Sequence, residues 1–283
     1  MATILKGAEV AEALNAEIIK ESEALKAAGI EPTLAILRVG ERGDDISYEK
    51  GVTKRAEKVG VAIKNVLLPA DVSQEVLIKT VEKLNADKSV HGVLMFRPLP
   101  KHIDEDTVCN VLDPAKDIDG ITDASTVGVF TDNSSGFAPC TPSACMEILE
   151  HFGVDVKGKR AVVVGRSLVV GKPAAMMLLK RNATVTVAHS RTTDLPAVVR
   201  EADIVIACVG RAKMVDASYL SPGQFVIDVG INVADDGSLA GDVDFEAASA
   251  IVEAITPVPG GVGTVTTSVN LKHVVEAAKN QCG

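Results

Sequence analysis

The sequence predicts an α/β protein with parallel sheets in two domains, and three observations carry that expectation. Strand-like and helix-like apolar patterns alternate from residue 8 to residue 100 and again after residue 141, the order that gives parallel strands joined by right-handed crossovers. Hydrophobic residues make up 47% of the 283 and aromatic ones only 3%, with no tryptophan, so the cores are aliphatic, as in sheets buried on both faces. Residues 162–173 read Val-Val-Val-Gly-Arg-Ser-Leu-Val-Val-Gly-Lys-Pro, a buried strand that ends in a glycine turn opening a helix.

Val10, Leu14, Ile18, Ile19 and Leu25 recur at helical spacing, which predicts a helix over 8–28. Residues 33–37 read as a short buried strand, 46–59 as a helix and 62–68 as a strand. Ser73 caps a third helix that carries Val76, Leu77, Val81 and Leu84. Residues 91–96 form the next strand, closed by Pro98-Leu99-Pro100. From 114 to 142 the pattern breaks into Asp, Gly, Pro and Ser, which reads as a junction. Thr141 or Ser143 then caps a linking helix that ends at His151. Further strands are expected near 160–164, 183–187, 203–207 and 225–229, and a closing helix near 266–279. The expected domains are 1–140 and 141–265, with residues 266–283 packing back on the first.

The formal charge of −9 argues against a nucleic-acid backbone as the main partner. No apolar run is long enough to span a bilayer, and the opening Met-Ala-Thr-Ile-Leu-Lys-Gly lacks a signal peptide's layout, so the expected location is cytoplasmic and no membrane partner is expected. The five cysteines form no Cys-x-x-Cys pair and no histidine cluster completes a zinc site. No metal is expected, and the thiols read as reduced and structural. Cys140, in a Pro-Cys-Thr-Pro turn, has a reactive reading as its less favoured alternative.

Gly165 and Gly171 leave backbone N–H groups open at a helix start, which suits a phosphate or pyrophosphate. The spacing is Gly-x-Ser-x-x-x-Gly, and a tight turn with no ligand is the competing reading. The next strand, 183–188, is followed by His189-Ser190-Arg191-Thr192. A site for NAD places Asp or Glu there to accept from the ribose 2′-hydroxyl. Here a hydroxyl and a guanidinium stand in its place, and Ser190, Arg191 and Arg166 together suit a 2′-phosphate. NADP is therefore expected, with NAD as the alternative; solvated surface charge is the plain reading of both arginines.

Eight blocks in register over nearly the whole chain resemble the bifunctional methylenetetrahydrofolate dehydrogenase/methenyltetrahydrofolate cyclohydrolase family. They are Ser47-Tyr48, Phe96-Arg97-Pro98-Leu99-Pro100, Lys116-Asp117-Ile118-Asp119-Gly120, Pro139-Cys140-Thr141-Pro142, Gly165-Arg166-Ser167 through Pro173, His189-Ser190-Arg191-Thr192, Asp228-Val229-Gly230-Ile231-Asn232, and Pro257-Val258-Pro259-Gly260-Gly261-Val262-Gly263. The resemblance implies an N-terminal catalytic domain, a C-terminal Rossmann-like domain and a homodimer. It also implies oxidation of 5,10-methylenetetrahydrofolate to the 5,10-methenyl cation, which many members then hydrolyse. By position, Asp119 would bind the pterin and Tyr48 would line the catalytic pocket. Gly165, Arg166, Ser167, Gly171, Ser190, Arg191 and Ile231 would meet the cofactor. Pro259, Gly260, Gly261 and Gly263 would border the folate and the nicotinamide.

The chemistry of these side chains fits those roles. A carboxylate at Asp119 can accept two N–H bonds from a pterin edge, although Asp-Gly is also a common turn. Tyr48, one of two tyrosines, also reads as a half-buried helix residue. Hydride leaves a carbon flanked by two nitrogens that stabilise the cation, so alignment matters more than a strong base.

Two positions depart from the family pattern. Its catalytic lysine, four residues after the tyrosine, is Val52 here, and its glutamine before Pro-Leu-Pro is Phe96. At about 100° per residue, Lys50 and Lys54 lie about 200° and 240° around the helix from Tyr48; only a local helix offset would bring Lys54 inward. Arg55 shares the Tyr48 face two turns away, but a guanidinium hardly ever loses its proton. The expectation is a dehydrogenase with weak or absent cyclohydrolase activity. The rivals are a non-catalytic dinucleotide-binding sensor and a two-domain NADP dehydrogenase of the shikimate type.

Overall fold

The computed structural model describes residues 1–133, 135–233 and 237–282. In chain order the elements are β1 (Thr3–Ile4), α1 (Gly7–Ala27), β2 (Thr33–Val39), α2 (Gly43–Val59), β3 (Ala62–Leu68), α3 (Gln74–Ala86), β4 (Gly92–Met95), α4 (Glu105–Cys109), α5 (Asp123–Thr131) and α6 (Cys140–His151). They continue with β5 (Arg160–Val164), α7 (Gly171–Lys180), β6 (Thr184–Ala188), α8 (Leu195–Arg200), β7 (Ile204–Ala207), β8 (Phe225–Asp228), β9 (Asn232–Val233), β10 (Leu239–Ala240), α9 (Phe245–Ser249), β11 (Ala254–Ile255) and α10 (Val262–Cys282). Two compact units result: Ala13–Cys140 with the chain from Thr267 on, and Met1–Glu12 with Thr141–Thr266.

The first unit centres on a parallel sheet in the order β3-β2-β4. Successive side chains of a strand point to opposite faces, and β2 divides accordingly. Leu34 and Ile36 join Val52, Phe96, Ile118, Leu271 and Val274 in one buried cluster. Ala35 and Leu37 join Leu77, Val81, Val93 and Met95 in the other. Both faces are covered, which explains the uninterrupted apolar run. Gly92 is needed where it stands, because a Cβ there would lie 2.6 Å from Ile118 Cγ2.

The second unit holds a six-stranded parallel sheet in the order β1-β11-β8-β7-β5-β6. Val162, Val164, Val205, Ala207, Val226 and Ile255 belong to its buried core. Strand order reverses at β5, which pairs with β6 on one side and β7 on the other. Ligands of open α/β sheets bind at the carboxyl ends beside such a switch point.

Four sequence expectations need correction, one being the cap at Thr141 or Ser143, since α6 already begins at Cys140. The first twelve residues were expected in a 1–140 domain, but Thr3 and Ile4 pair with Ala254 and Ile255 of the second unit; two residues are too few to display alternation. The stretch 114–142, expected to be irregular, contains α5, whose N-cap Thr122 accepts from Ser125 N–H. Its Gly, Ser and Thr content hid the helix. The closing helix begins at Val262 rather than near 266. No helix among the described residues is long and apolar enough to cross a membrane.

Candidate functional site

In the first unit the site starts from α2. Val52, Ala56 and Val59 are its buried face, and Tyr48 lies one turn before Val52 on that side. The Tyr48 ring is 40% exposed and packs against Phe96 with centroids 5.6 Å apart. Its hydroxyl is enclosed: Asn270 Nδ2 donates to it over 3.3 Å and Thr267 hydrogen-bonds it as well. Burial, then the charge of Asp119, push the phenol well above its ordinary pKa.

Asp119 is set by its neighbours in Lys116-Asp117-Ile118-Asp119-Gly120. Lys116 Nζ donates to the carbonyls of Leu84, Asn85 and Asp87 at 2.8, 2.9 and 2.7 Å. The Asp117 carboxylate accepts from the N–H groups of Ile121 and Thr122, both at 2.9 Å, and from Ser125 Oγ at 2.6 Å. The chain is thereby folded back over 117–125, and Asp119 Oδ1 accepts from Cys140 N–H at 3.4 Å. Burial raises the Asp119 pKa, opposed by Cys140 and by the Arg97 charge.

Cys140 is fully buried, its sulfur 3.1 Å from both Ile118 O and Asn270 Oδ1. Burial, then the Asp119 charge, push this thiol far up, so it stays protonated and the structural reading holds over the reactive one. His273 Nδ1 donates to Ile118 O over 2.8 Å, and its ring stacks on Phe137 at 5.0 Å.

Lys54 does not join this group. The helix runs without offset, and Lys54 lines a shallow surface with Glu49, Lys50, Thr53, Glu57 and Asn65 on the other side of α2. Val52 and Phe96 are 0% and 7% exposed. Arg55 is tied down, donating to Ser268 Oγ at 2.9 Å, which in turn donates to Asn15 Oδ1 at 3.0 Å.

In the second unit the carboxyl ends of β5 and β7 meet at Gly165, where φ is +135° and a Cβ would lie 2.4 Å from Cys208 O. A Cβ on Gly171 would lie 2.3 Å from Gly165 O. The turn therefore exposes backbone in a cradle that side chains would fill. Ser167 Oγ accepts from the N–H groups of Val170 and Gly171 at 3.1 and 3.4 Å, ordering the start of α7. Arg166, Ser190 and Arg191 are exposed. The turn after β6 is shaped by Arg191 N–H donating to His189 Nδ1 at 3.1 Å and His189 N–H donating to Thr192 Oγ1 at 2.9 Å. No carboxylate occurs in 184–193.

Two buried aspartates brace the neighbouring loops. Asp228 accepts from the N–H groups of Gly230, Asp242 and Val243 at 3.0, 2.9 and 3.0 Å, and burial pushes it up to about 6. Asp242 accepts from Gly210 and Arg211 N–H at 3.0 and 2.9 Å and from Asn232 Nδ2 at 3.0 Å. Ile231 is thus held outward, 64% exposed, with its Cδ1 3.4 Å from where a Cβ on Gly263 would stand. Pro259 follows a cis peptide bond and Gly260 has φ +102°. A Cβ on Gly261 would lie 2.4 Å from Pro257 O.

The structure brings Tyr48 and Asp119 together in one unit, and gathers the glycine turn, Ser190, Arg191, Ile231 and Gly263 at the carboxyl end of the other unit's sheet. Sequence reasoning gave no role to Thr267, Asn270, Asp228 or Asp242. The available signal was the spacing of three among Thr267, Asn270 and His273 on the closing helix. Among the described residues no group of three or more His, Cys, Asp or Glu could hold a metal ion.

Residues 5–119 match the sequence model of the tetrahydrofolate dehydrogenase/cyclohydrolase catalytic domain, and 139–282 that of its NAD(P)-binding domain. The bifunctional protein FolD of Clostridioides difficile is 50% identical over 278 residues, 98% of this chain and 97% of that protein. The crystal structure of the bifunctional FolD enzyme of Campylobacter jejuni superposes with a TM-score of 0.96 at 38% identity, covering 99% of each chain. A Trypanosoma brucei FolD complexed with NADP cofactor and inhibitor superposes at 0.92 with 37% identity, covering 99% of this chain and 98% of that one. With both domains matched in order and half the residues shared with a full-length relative, this chain belongs to the tetrahydrofolate dehydrogenase/cyclohydrolase family.

Proposed function

We propose that the protein oxidises 5,10-methylenetetrahydrofolate to the 5,10-methenyl cation with NADP, and hydrolyses that cation weakly or not at all. The observation that carries the second half is the burial of Val52 and Phe96 in one apolar cluster. Adding water to the methenyl carbon and opening the ring needs proton transfers, and neither side chain holds a proton. Hydride departure needs little more than alignment.

Asp119 accepts the pterin N–H groups, and Tyr48 lines the same pocket with its ring against Phe96. Gly260, Gly261 and Gly263 offer backbone without side-chain bulk, and with Pro259 they would border the folate and the nicotinamide. NADP supplies the hydride acceptor. The cradle at Gly165 and Gly171, with Ser167, suits its pyrophosphate, Arg166, Ser190 and Arg191 suit the 2′-phosphate, and Ile231 would meet the cofactor. Support for NADP comes from the lack of a carboxylate after β6 and from the NADP-bound relative. The family resemblance extends the reading to a cytoplasmic homodimer acting on a small folate in one-carbon metabolism, without nucleic-acid or membrane partners.

The test supplies methylenetetrahydrofolate with NADP or NAD and follows methenyl absorbance. Methenyl product should accumulate with NADP. Rapid enzyme-dependent decay of added methenyl compound would overturn the hydrolase half, and a clear NAD preference the cofactor half.

A further inference from the structure

Tyr48 stands against a stretch of α10 where a buried helix face turns polar. Ser268, Asn270 and His273 are 0%, 1% and 8% exposed, among Val269, Leu271, Val274 and Val275. An amide sealed in such a face has lost its water and must find partners inside the protein. Asn270 has one at each end: the Tyr48 oxygen 3.3 Å from Nδ2 and the Cys140 sulfur 3.1 Å from Oδ1. Asn270 Oδ1 faces the protonated Cys140 thiol, whose one hydrogen is shared with Ile118 O at the same distance, and Nδ2 faces the phenol. Thr267 meets the same phenol oxygen. With Asn270 Nδ2 donating to its oxygen, the phenol keeps its own hydrogen for an acceptor.

We propose that Asn270 is a positioning residue for Tyr48: its amide donates to the phenolic oxygen and thereby aims the phenol's own hydrogen away from α10, at the bound pterin substrate. The identity of that substrate rests on the function proposed above; the direction of the hydrogen bond does not. Beside Val52 and Phe96, which contribute only hydrocarbon, α10 supplies the polar support that decides which way this hydroxyl points.

A titration that needs no turnover tests the direction. The chain has two tyrosines, Tyr48 and Tyr219, so in a Tyr219→Phe background 3,5-difluorotyrosine reports Tyr48 alone. Ring fluorination lowers the phenol's midpoint into a range a folded protein tolerates. If Nδ2 donates, Asn270→Leu removes a bond to the phenolate and raises the midpoint by about half a unit to one unit. Asn270→Asp, which cannot donate, raises it further and serves if the leucine variant fails to fold. A lowered midpoint, or none moved in either variant, overturns the proposal.

Kinetics supply a second arm. Asn270→Leu should lower kcat about three- to tenfold with KM changed less than twofold, and should cost nothing further in Tyr48→Phe. A loss that persists undiminished without the phenol would make Asn270 merely structural and sink the proposal. Absence of NADP reduction by the unaltered protein would instead defeat the folate reading, while the titration result stands.

Discussion

Val52 and Phe96 share one buried cluster, and the Tyr48 ring packs on Phe96 with centroids 5.6 Å apart. On the proposed reading, hydrocarbon therefore stands at the two positions where the family pattern has a lysine and a glutamine. Restoring polarity there, as Val52→Lys with Phe96→Gln, should raise enzyme-dependent methenyl hydrolysis roughly 10- to 100-fold. The same double substitution should cost about 3–5 kcal/mol of stability by burying an amine. Decay of methenyl absorbance and a urea titration check both. A double variant that folds but hydrolyses no faster would remove the explanation.

Asp119 should titrate visibly. Burial holds its pKa above the usual carboxylate range, and only the ionised form accepts two N–H bonds. As pH falls through that raised value the carboxylate protonates and kcat/KM for the folate falls, so the acid limb should lie above pH 4. Asp119→Asn should lose about 100-fold in kcat/KM and abolish that limb. A pH profile of kcat/KM for both proteins decides it.

The exposed turn after β6 should set cofactor choice. Ser190→Asp introduces a charge that repels a 2′-phosphate and can accept from a ribose hydroxyl. Arg191→Ala removes an attractive one. The first should raise the Kd for NADP about tenfold or more while improving NAD binding, and the second should weaken NADP alone by about tenfold. Fluorescence titration with both dinucleotides measures the outcome.

Asp228 should make the second unit less stable as pH rises. Its folded pKa is about 6 against an ordinary value near 3.9, so the folded state binds the extra proton between these values. The stabilisation is full below about pH 4 and is lost as pH rises through about 6, roughly 1–3 kcal/mol in all. The slope of Tm against pH over that window should flatten in Asp228→Asn. An unchanged slope would show that the three N–H donors, rather than burial, govern this carboxyl.

Gly165 is conformationally required. At φ +135° with a Cβ position 2.4 Å from Cys208 O, Gly165→Ala should destabilise by about 2–4 kcal/mol and weaken dinucleotide binding. Thermal melting with and without NADP reads both effects.

Much of the architecture was written locally. The strands around Ala35 and Val163 announce themselves as aliphatic runs because both sheet faces are covered. Gly165 and Gly171 are legible because their spacing encloses a strand-to-helix turn. Short elements were not: Thr3–Ile4 becomes a strand only through its partner Ala254–Ile255, and α5 is hidden by residues that also favour turns. The spacing that includes Asn270 was ambiguous for another reason. A polar residue in a helix looks like a solvent-facing position until the packing shows that it is 1% exposed.

The linear chain by itself determined the α/β class, the glycine turn, the absence of a carboxylate after β6 and the apolar identity of residues 52 and 96, because each depends on residue type and near-neighbour spacing. Only the tertiary structure decided that α2 runs without the offset that would turn Lys54 inward, that Thr3 and Ile4 pair into the second unit's sheet, and that Asn270, Cys140 and Tyr48 meet. Those depend on contacts between residues far apart in sequence, from Tyr48 to Asn270 across 222 positions, which no local pattern encodes.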